Sequence, residues 1–225
     1  MDSMRKVGER RFDLIVFDWD GTLADSTSII ANALQEACRD LGQPVPDSVN
    51  ARFVIGLGLA DALAHVAPDL PIERHPELSA RYRHHHLARD PEIPLFEGAR
   101  ELLDQLAFAG YLLAVATGKT RAGLDRALRT NNLHARFHAT RCADEGRPKP
   151  HPEMLLNLIA RLDVAPARTL MIGDTTHDLE LARAAGAAAV AVAYGAHESA
   201  GLAASAPLAI VHSVAELRRW IEANG

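Results

Sequence analysis

The sequence predicts an α/β protein: a parallel sheet with helices on both faces, interrupted by a small helical insertion. Three observations carry this. The run Leu14-Ile15-Val16-Phe17 is short and wholly apolar, as a buried central strand is, and it stops at Asp18-Trp19-Asp20-Gly21. From Gly98 onward, short apolar runs alternate with helical patterns, the rhythm of parallel strands joined by crossover helices. Between these regions, residues 43–94 carry helical spacing broken by Pro44, Pro46, Pro68, Pro71 and Pro76, with no convincing strand.

Side chains alternate along an extended chain, so Asp18 and Asp20 point one way and Trp19 the other. Two carboxylates in one small volume repel unless a cation lies between them or one keeps its proton. The pair therefore asks for a metal or for an acid and a base. Asp and Gly also favour turns, and a solvated Asp-x-Asp-Gly turn explains these residues equally well on their own.

Asp25, Ser26 and Thr27 offer capping oxygens to a helix whose apolar positions Ile29, Ile30, Ala33, Leu34, Ala37 and Leu41 recur until Gly42. Prolines in Pro91-Glu92-Ile93-Pro94 favour extended backbone and mark a connection back to the sheet-forming body. There the spacing predicts a helix over 99–108, a strand over 112–116, a helix over 121–129 and a weaker strand over 137–140. A helix over 152–162, a strand over 169–172, a helix over 179–185, apolar runs over 188–193 and 208–211, and a closing helix over 214–222 follow.

Of 225 residues, 48% are hydrophobic and 24% charged, enough for a real core in one large domain or two smaller ones. A net charge of -5 gives no basic footprint, which counts against nucleic acid or an anionic membrane as partner. The charged start Met1–Arg11 lacks a signal-type apolar region, and no stretch approaches the roughly 20 apolar residues of a membrane span. The expected location is the cytoplasm. Cys38 and Cys142 match no metal or redox spacing and are expected to be free, buried thiols.

The clearest strands end in polar residues: Asp18 and Asp20, then Thr117-Gly118, then Gly173-Asp174, with Lys149 just ahead of a helix. If the strands are parallel, these residues gather at one edge of the sheet, where such folds bind ligands.

In this order the residues resemble the four motifs of the haloacid dehalogenase superfamily of phosphohydrolases, and Asp18-Trp19-Asp20-Gly21-Thr22-Leu23 is similar to its signature. The resemblance covers nearly the whole chain. It implies a Rossmann-like core over 1–23 and 93–225 and a helical cap domain over 24–92. It implies that Asp18 is the nucleophile forming an aspartyl-phosphate and that Asp20 is the general acid and then the base. It also implies that Thr117 and Gly118 hold phosphoryl oxygens and that Lys149 offsets developing charge. Magnesium is the implied cofactor, with Asp18, the backbone carbonyl of Asp20 and Asp174 as ligands and Asp178 acting indirectly.

Arg52-Phe53-Val54-Ile55-Gly56-Leu57-Gly58 and Tyr194-Gly195 resemble phosphoglycolate phosphatase-like members, which makes phosphoglycolate the favoured substrate and Arg52 a candidate for its carboxylate. The expected partner is thus a small phosphorylated metabolite, with the chain a monomer or homodimer. A dehalogenase is disfavoured by the presence of Asp20. Phosphonoacetaldehyde hydrolysis needs a cap lysine, and residues 24–92 contain none. A sugar phosphomutase shares every core motif and is the enzyme alternative, and a catalytically idle phosphate-binding protein is the alternative outside enzymes. His84-His85-His86 point about 100° apart on a helix and are expected to form a solvated face, and His177 is given no chemistry.

Overall fold

The computed structural model describes residues 10–225, so most of the charged start falls outside the described residues. In chain order the elements begin with β1 (Leu14–Phe17), α1 (Thr27–Asp40), α2 (Ser48–Phe53), α3 (Leu59–Val66) and α4 (His75–Arg89). Next come α5 (Ala99–Phe108), β2 (Leu112–Thr117), α6 (Arg121–Thr130), β3 (Ala139–Cys142), α7 (Glu153–Leu162) and β4 (Thr169–Gly173). The chain closes with α8 (Thr176–Ala184), β5 (Ala188–Val192), α9 (Ser199–Ala204), β6 (Ile210–Val211) and α10 (Val214–Asn224).

The strands form one six-stranded sheet in the order β3-β2-β1-β4-β5-β6, every neighbouring pair parallel. β1 lies inside it with both faces covered, which is why its sequence is a continuous apolar run. Ile15 and Phe17 face a layer holding Leu103 of α5, Leu124 of α6 and Leu217 of α10. Leu14 and Val16 face the opposite layer with Leu155 and Leu158 of α7 and Leu181 of α8. All four side chains of β1 are fully buried, each contributing about 1.5–3 kcal/mol. Strand order reverses between β1 and β4, and the crevice beyond their carboxyl ends is where sheets of this kind bind ligands.

The helical segment departs and returns at one point. Asp25 N donates to Pro94 O (3.0 Å) and Phe96 N donates to Leu23 O (3.0 Å), so the two crossings lie side by side. Between them α1 to α4 surround an apolar cluster of their own that includes Leu34, Ile55, Leu63 and Leu78.

Several local expectations shift. β3 starts two residues later than its apolar signal, because pairing with β2 matches Ala139 to Ala114 and leaves Phe137 packing against the core from outside the strand. α8 starts three residues early: Thr175 caps it and Asp178 closes a capping box, so polar residues begin the helix before its apolar face does. Ser26 stands at the N-cap of α1 without capping it, since its hydroxyl is used elsewhere. α9, alanine-rich, carried no clear periodic signal. Cys38 and Cys142 are free and buried, as expected.

Candidate active site

The register of the sheet brings residues far apart in sequence to one edge. Asp18 N donates to Ile172 O (2.9 Å), which fixes the end of β1 beside the end of β4 and places Asp18 next to Asp174. Lys149, in the loop before α7, is almost wholly buried and donates to Asp18 Oδ1 (2.7 Å) and Asp178 Oδ1 (2.6 Å). A lysine that deep persists only when its charge is met. Burial disfavours the ammonium, but Asp178 and Asp18 outweigh it and hold Lys149 above its ordinary range.

Both oxygens of Asp178 are engaged. Its Oδ2 accepts from Thr175 N (3.1 Å) and Thr175 Oγ1 (2.7 Å), while Oδ1 takes Lys149. Asp174 accepts from Thr22 Oγ1 (3.0 Å) and Ala196 N (2.7 Å). Backbone also crowds this carboxylate: a Cβ on Gly21 (φ 80°) or on Gly195 would collide with it, so glycine is required on both sides. Burial, then repulsion from Asp18 and Asp178, pushes Asp174 well above the usual carboxylate range. Asp18 is pushed up to about 7 by burial, opposed by Lys149 and reinforced by Asp178 and Asp20.

Asp18 Oδ2 is buried and accepts no hydrogen bond. Oxygens of Asp18, Asp174 and Asp178 lie within 4.8 Å of one another. An all-carboxylate set with an orphaned oxygen and raised proton affinity fits a hard divalent cation such as magnesium. Both oxygens of Asp174 and both of Asp178 accept from protein donors, so Asp18 Oδ2 is the one oxygen of the set left open to an ion.

Asp20 stands apart from this cluster. Its Oδ1 accepts from Ser26 Oγ (2.7 Å) and lies 3.0 Å from Lys119 Nζ. Sequence reading missed both partners. Lys119 directly follows Thr117-Gly118, a position that signals it, whereas Ser26 stands where a helix cap is expected. Thr117 is buried at the end of β2, and its Oγ1 accepts from Lys119 N (3.1 Å). A Cβ on Gly118 would lie 2.6 Å from Leu57 O and 2.7 Å from Gly56 O, so the loop between α2 and α3 rests directly on this glycine.

A second contact holds that loop down. His177 Nε2 (2.8 Å) and His197 Nε2 (3.0 Å) both meet Phe53 O, and the Phe53 ring stacks on His197. The histidine run behaves differently from expectation: His84 is exposed, His85 pairs with Asp40 (2.8 Å) and His86 is buried. His86 turns inward because α4 packs on α1 and α3, and it faces a cavity whose far side carries Arg126, which pairs with Asp90 just beyond α4 (2.5 Å). Arg52 hydrogen-bonds Ser28 Oγ (3.3 Å).

Above Asp20 the helical segment and the β2–α6 loop enclose a cavity of about 460 Å³. Asp20, Gly118 and Lys119 line its floor, while Ile30, Leu34, Tyr82 and His86 are among the residues that line its upper part. The guanidinium groups lining it belong to Arg83 and Arg126, and Arg52 is not among its lining residues.

Residues 15–192 match the family model of haloacid dehalogenase-like hydrolases. The chain belongs to that family. This haloacid dehalogenase-like hydrolase is 39% identical over 210 residues to a probable phosphatase IndB of Dickeya dadantii, covering 91% of each chain. It is 30% identical over 223 residues to a phosphoglycolate phosphatase of Vibrio vulnificus, covering 93% of this chain and 96% of the relative. A haloacid dehalogenase-like family hydrolase from Streptococcus pneumoniae superposes with a TM-score of 0.80 at 28% identity, covering 93% of this chain and 98% of that one.

Proposed function

We propose that this hydrolase cleaves phosphate monoesters with magnesium, Asp18 attacking phosphorus and Asp20 serving the leaving group. The observation that carries it is the contrast between the two acids. Asp18 is sealed against Lys149 with one oxygen free of hydrogen-bond donors, whereas Asp20 faces the cavity on a separate pair of partners. Two carboxylates in such different surroundings are suited to different protonation states in one reaction.

In this reading Asp18 forms a bond to phosphorus as the ester P–O bond breaks, and Asp20 gives a proton to the departing oxygen. Asp20 then takes a proton from water, whose oxygen attacks phosphorus and frees Asp18. Lys149 keeps Asp18 charged and in place, and Thr117 with the backbone N–H of Gly118 receives phosphoryl oxygens at the start of α6. Asp18, Asp174 and the Asp20 carbonyl would hold magnesium, with Asp178 orienting Lys149. The bound ion would neutralise phosphoryl charge. The helical segment, 24–92, serves as the cap that excludes water and contacts the leaving group.

Phosphoglycolate is the substrate that the resemblance favours, and the name of the Vibrio relative supports it. Arg52 offers that reading little, because it pairs with Ser28 away from the cavity lining. Among the described residues no helix is long and apolar enough to cross a membrane, which supports a cytoplasmic place for an enzyme acting on small metabolites. The test is phosphate release from p-nitrophenyl phosphate with magnesium and with a chelator. Release that requires the ion is expected; full activity in chelator overturns the reading.

A further inference from the structure

The cavity above Asp20 is a poor match for a two-carbon acid. Its volume of about 460 Å³ falls in the range of roughly 300–1,000 Å³ typical of pockets that engulf ring-containing ligands. Ile30 and Leu34 of α1, with Val54 and Ile55 after α2, give it an apolar wall. These side chains belong to the core of the helical segment, so the wall is fixed by the fold. A carboxylate on the leaving group would need a free cation near Asp20. The one there, Lys119, already pairs with Asp20 at 3.0 Å. Arg126 pairs with Asp90 at 2.5 Å, and Arg83, the lining guanidinium without an ion pair among the described residues, is exposed, where water screens its charge.

Among the described residues, one buried polar side-chain atom lining the cavity has no partner. His86 has a side chain only 9% exposed, and its Nε2 is buried without any hydrogen-bond partner. Its Nδ1 lies 3.9 Å from Asp90 Oδ1, beyond hydrogen-bonding reach. Burial and the nearby Lys119 charge favour the neutral imidazole, which can either donate or accept through Nε2. A buried polar atom left unpaired is costly, and a ligand group that satisfies it is favoured over one that does not.

We infer that the cavity takes a phosphate monoester whose leaving group is a ring-sized, mainly apolar body bearing one hydrogen-bonding substituent, which His86 reads. This rests on the phosphatase reading above and narrows its substrate class. The apolar body lies along Ile30 and Leu34, and the ester oxygen faces Asp20.

The test uses the full-length protein with magnesium and three esters of alcohols: phosphoglycolate, benzyl phosphate and 3-hydroxybenzyl phosphate. Benzyl phosphate is expected to exceed phosphoglycolate in kcat/KM, and the hydroxylated ester to exceed benzyl phosphate, each by about tenfold, the scale of one well-placed group. Leu34→Trp should reduce the benzyl to phosphoglycolate ratio by about tenfold, for the same reason. Ala62→Leu narrows the cavity from α3 and supplies the same readout if the first variant misfolds. His86→Phe, which keeps the volume, should erase the preference for the hydroxylated ester. Preference for phosphoglycolate, or ratios that both narrowing variants leave unchanged, overturns the inference alone. Hydrolysis of none of the three while p-nitrophenyl phosphate is turned over overturns the inference alone; no turnover of any of the four esters overturns the phosphatase reading and the inference with it.

Discussion

Lys119 Nζ lies 3.0 Å from Asp20 Oδ1, and Ser26 Oγ donates to the same oxygen at 2.7 Å. The β2–α6 loop and the start of the helical segment thereby grip one acid from two sides. Asp20→Asn removes the proposed proton donor and keeps the shape. Hydrolysis of unactivated alkyl phosphates should fall by about 10²- to 10⁴-fold, while p-nitrophenyl phosphate, whose leaving group needs no proton, falls far less. Equal losses on both esters in steady-state assays would remove Asp20 from the acid role.

Asp18→Asn should abolish phosphate release from every ester, because the nucleophile of the proposed reaction is lost. The carboxamide still offers Lys149 an acceptor, and Asp178 still meets its charge, so the fold should persist. Thermal melting and turnover measured on one preparation separate the two effects. A variant that retains substantial turnover rules out nucleophilic attack by this residue.

Asp174→Ala should raise the magnesium concentration needed for half-maximal activity by tenfold or more, or eliminate activity, if Asp174 is a direct ligand. Isothermal titration with magnesium gives a readout independent of turnover. An unchanged binding isotherm would exclude Asp174 from the metal site.

Gly118→Ala places a Cβ 2.6 Å from Leu57 O and 2.7 Å from Gly56 O. Backbone cannot yield as a flexible side chain does, so the loop between α2 and α3 must lift. Activity on all esters should drop by about tenfold or more, since small displacements around reacting groups cost that much. Proteolysis should nick residues 54–58 faster than in the parent protein. An active variant with parental protection would mean that the loop does not close over the site.

Arg52→Ala should change kcat/KM for phosphoglycolate less than about threefold, the range of an exposed polar contact, because Arg52 reaches Ser28 and not the cavity. A loss of one to two decades confined to phosphoglycolate would restore Arg52 as its carboxylate partner.

The sequence by itself determined the sheet and which acids stand at its carboxyl edge. Leu14 to Phe17 must be an interior strand because nothing in them tolerates water, and the polar residues after each parallel strand must meet at the carboxyl edge. These are local periodicities, which the chain displays directly. Tertiary structure alone decided which partners those acids have. Lys149 is 131 residues from Asp18 and Thr22 is 152 from Asp174, and no local pattern encodes such pairings. Ser26 looked like a cap and became a ligand of Asp20, since a buried carboxylate competes for the hydroxyl more strongly than a helix end does. His86 looked like one of three solvated imidazoles and became a cavity wall, because the packing of α4 against its neighbours chose which side of that helix faces inward. Periodicity reports that an element has a face; only the packed neighbours decide what that face meets.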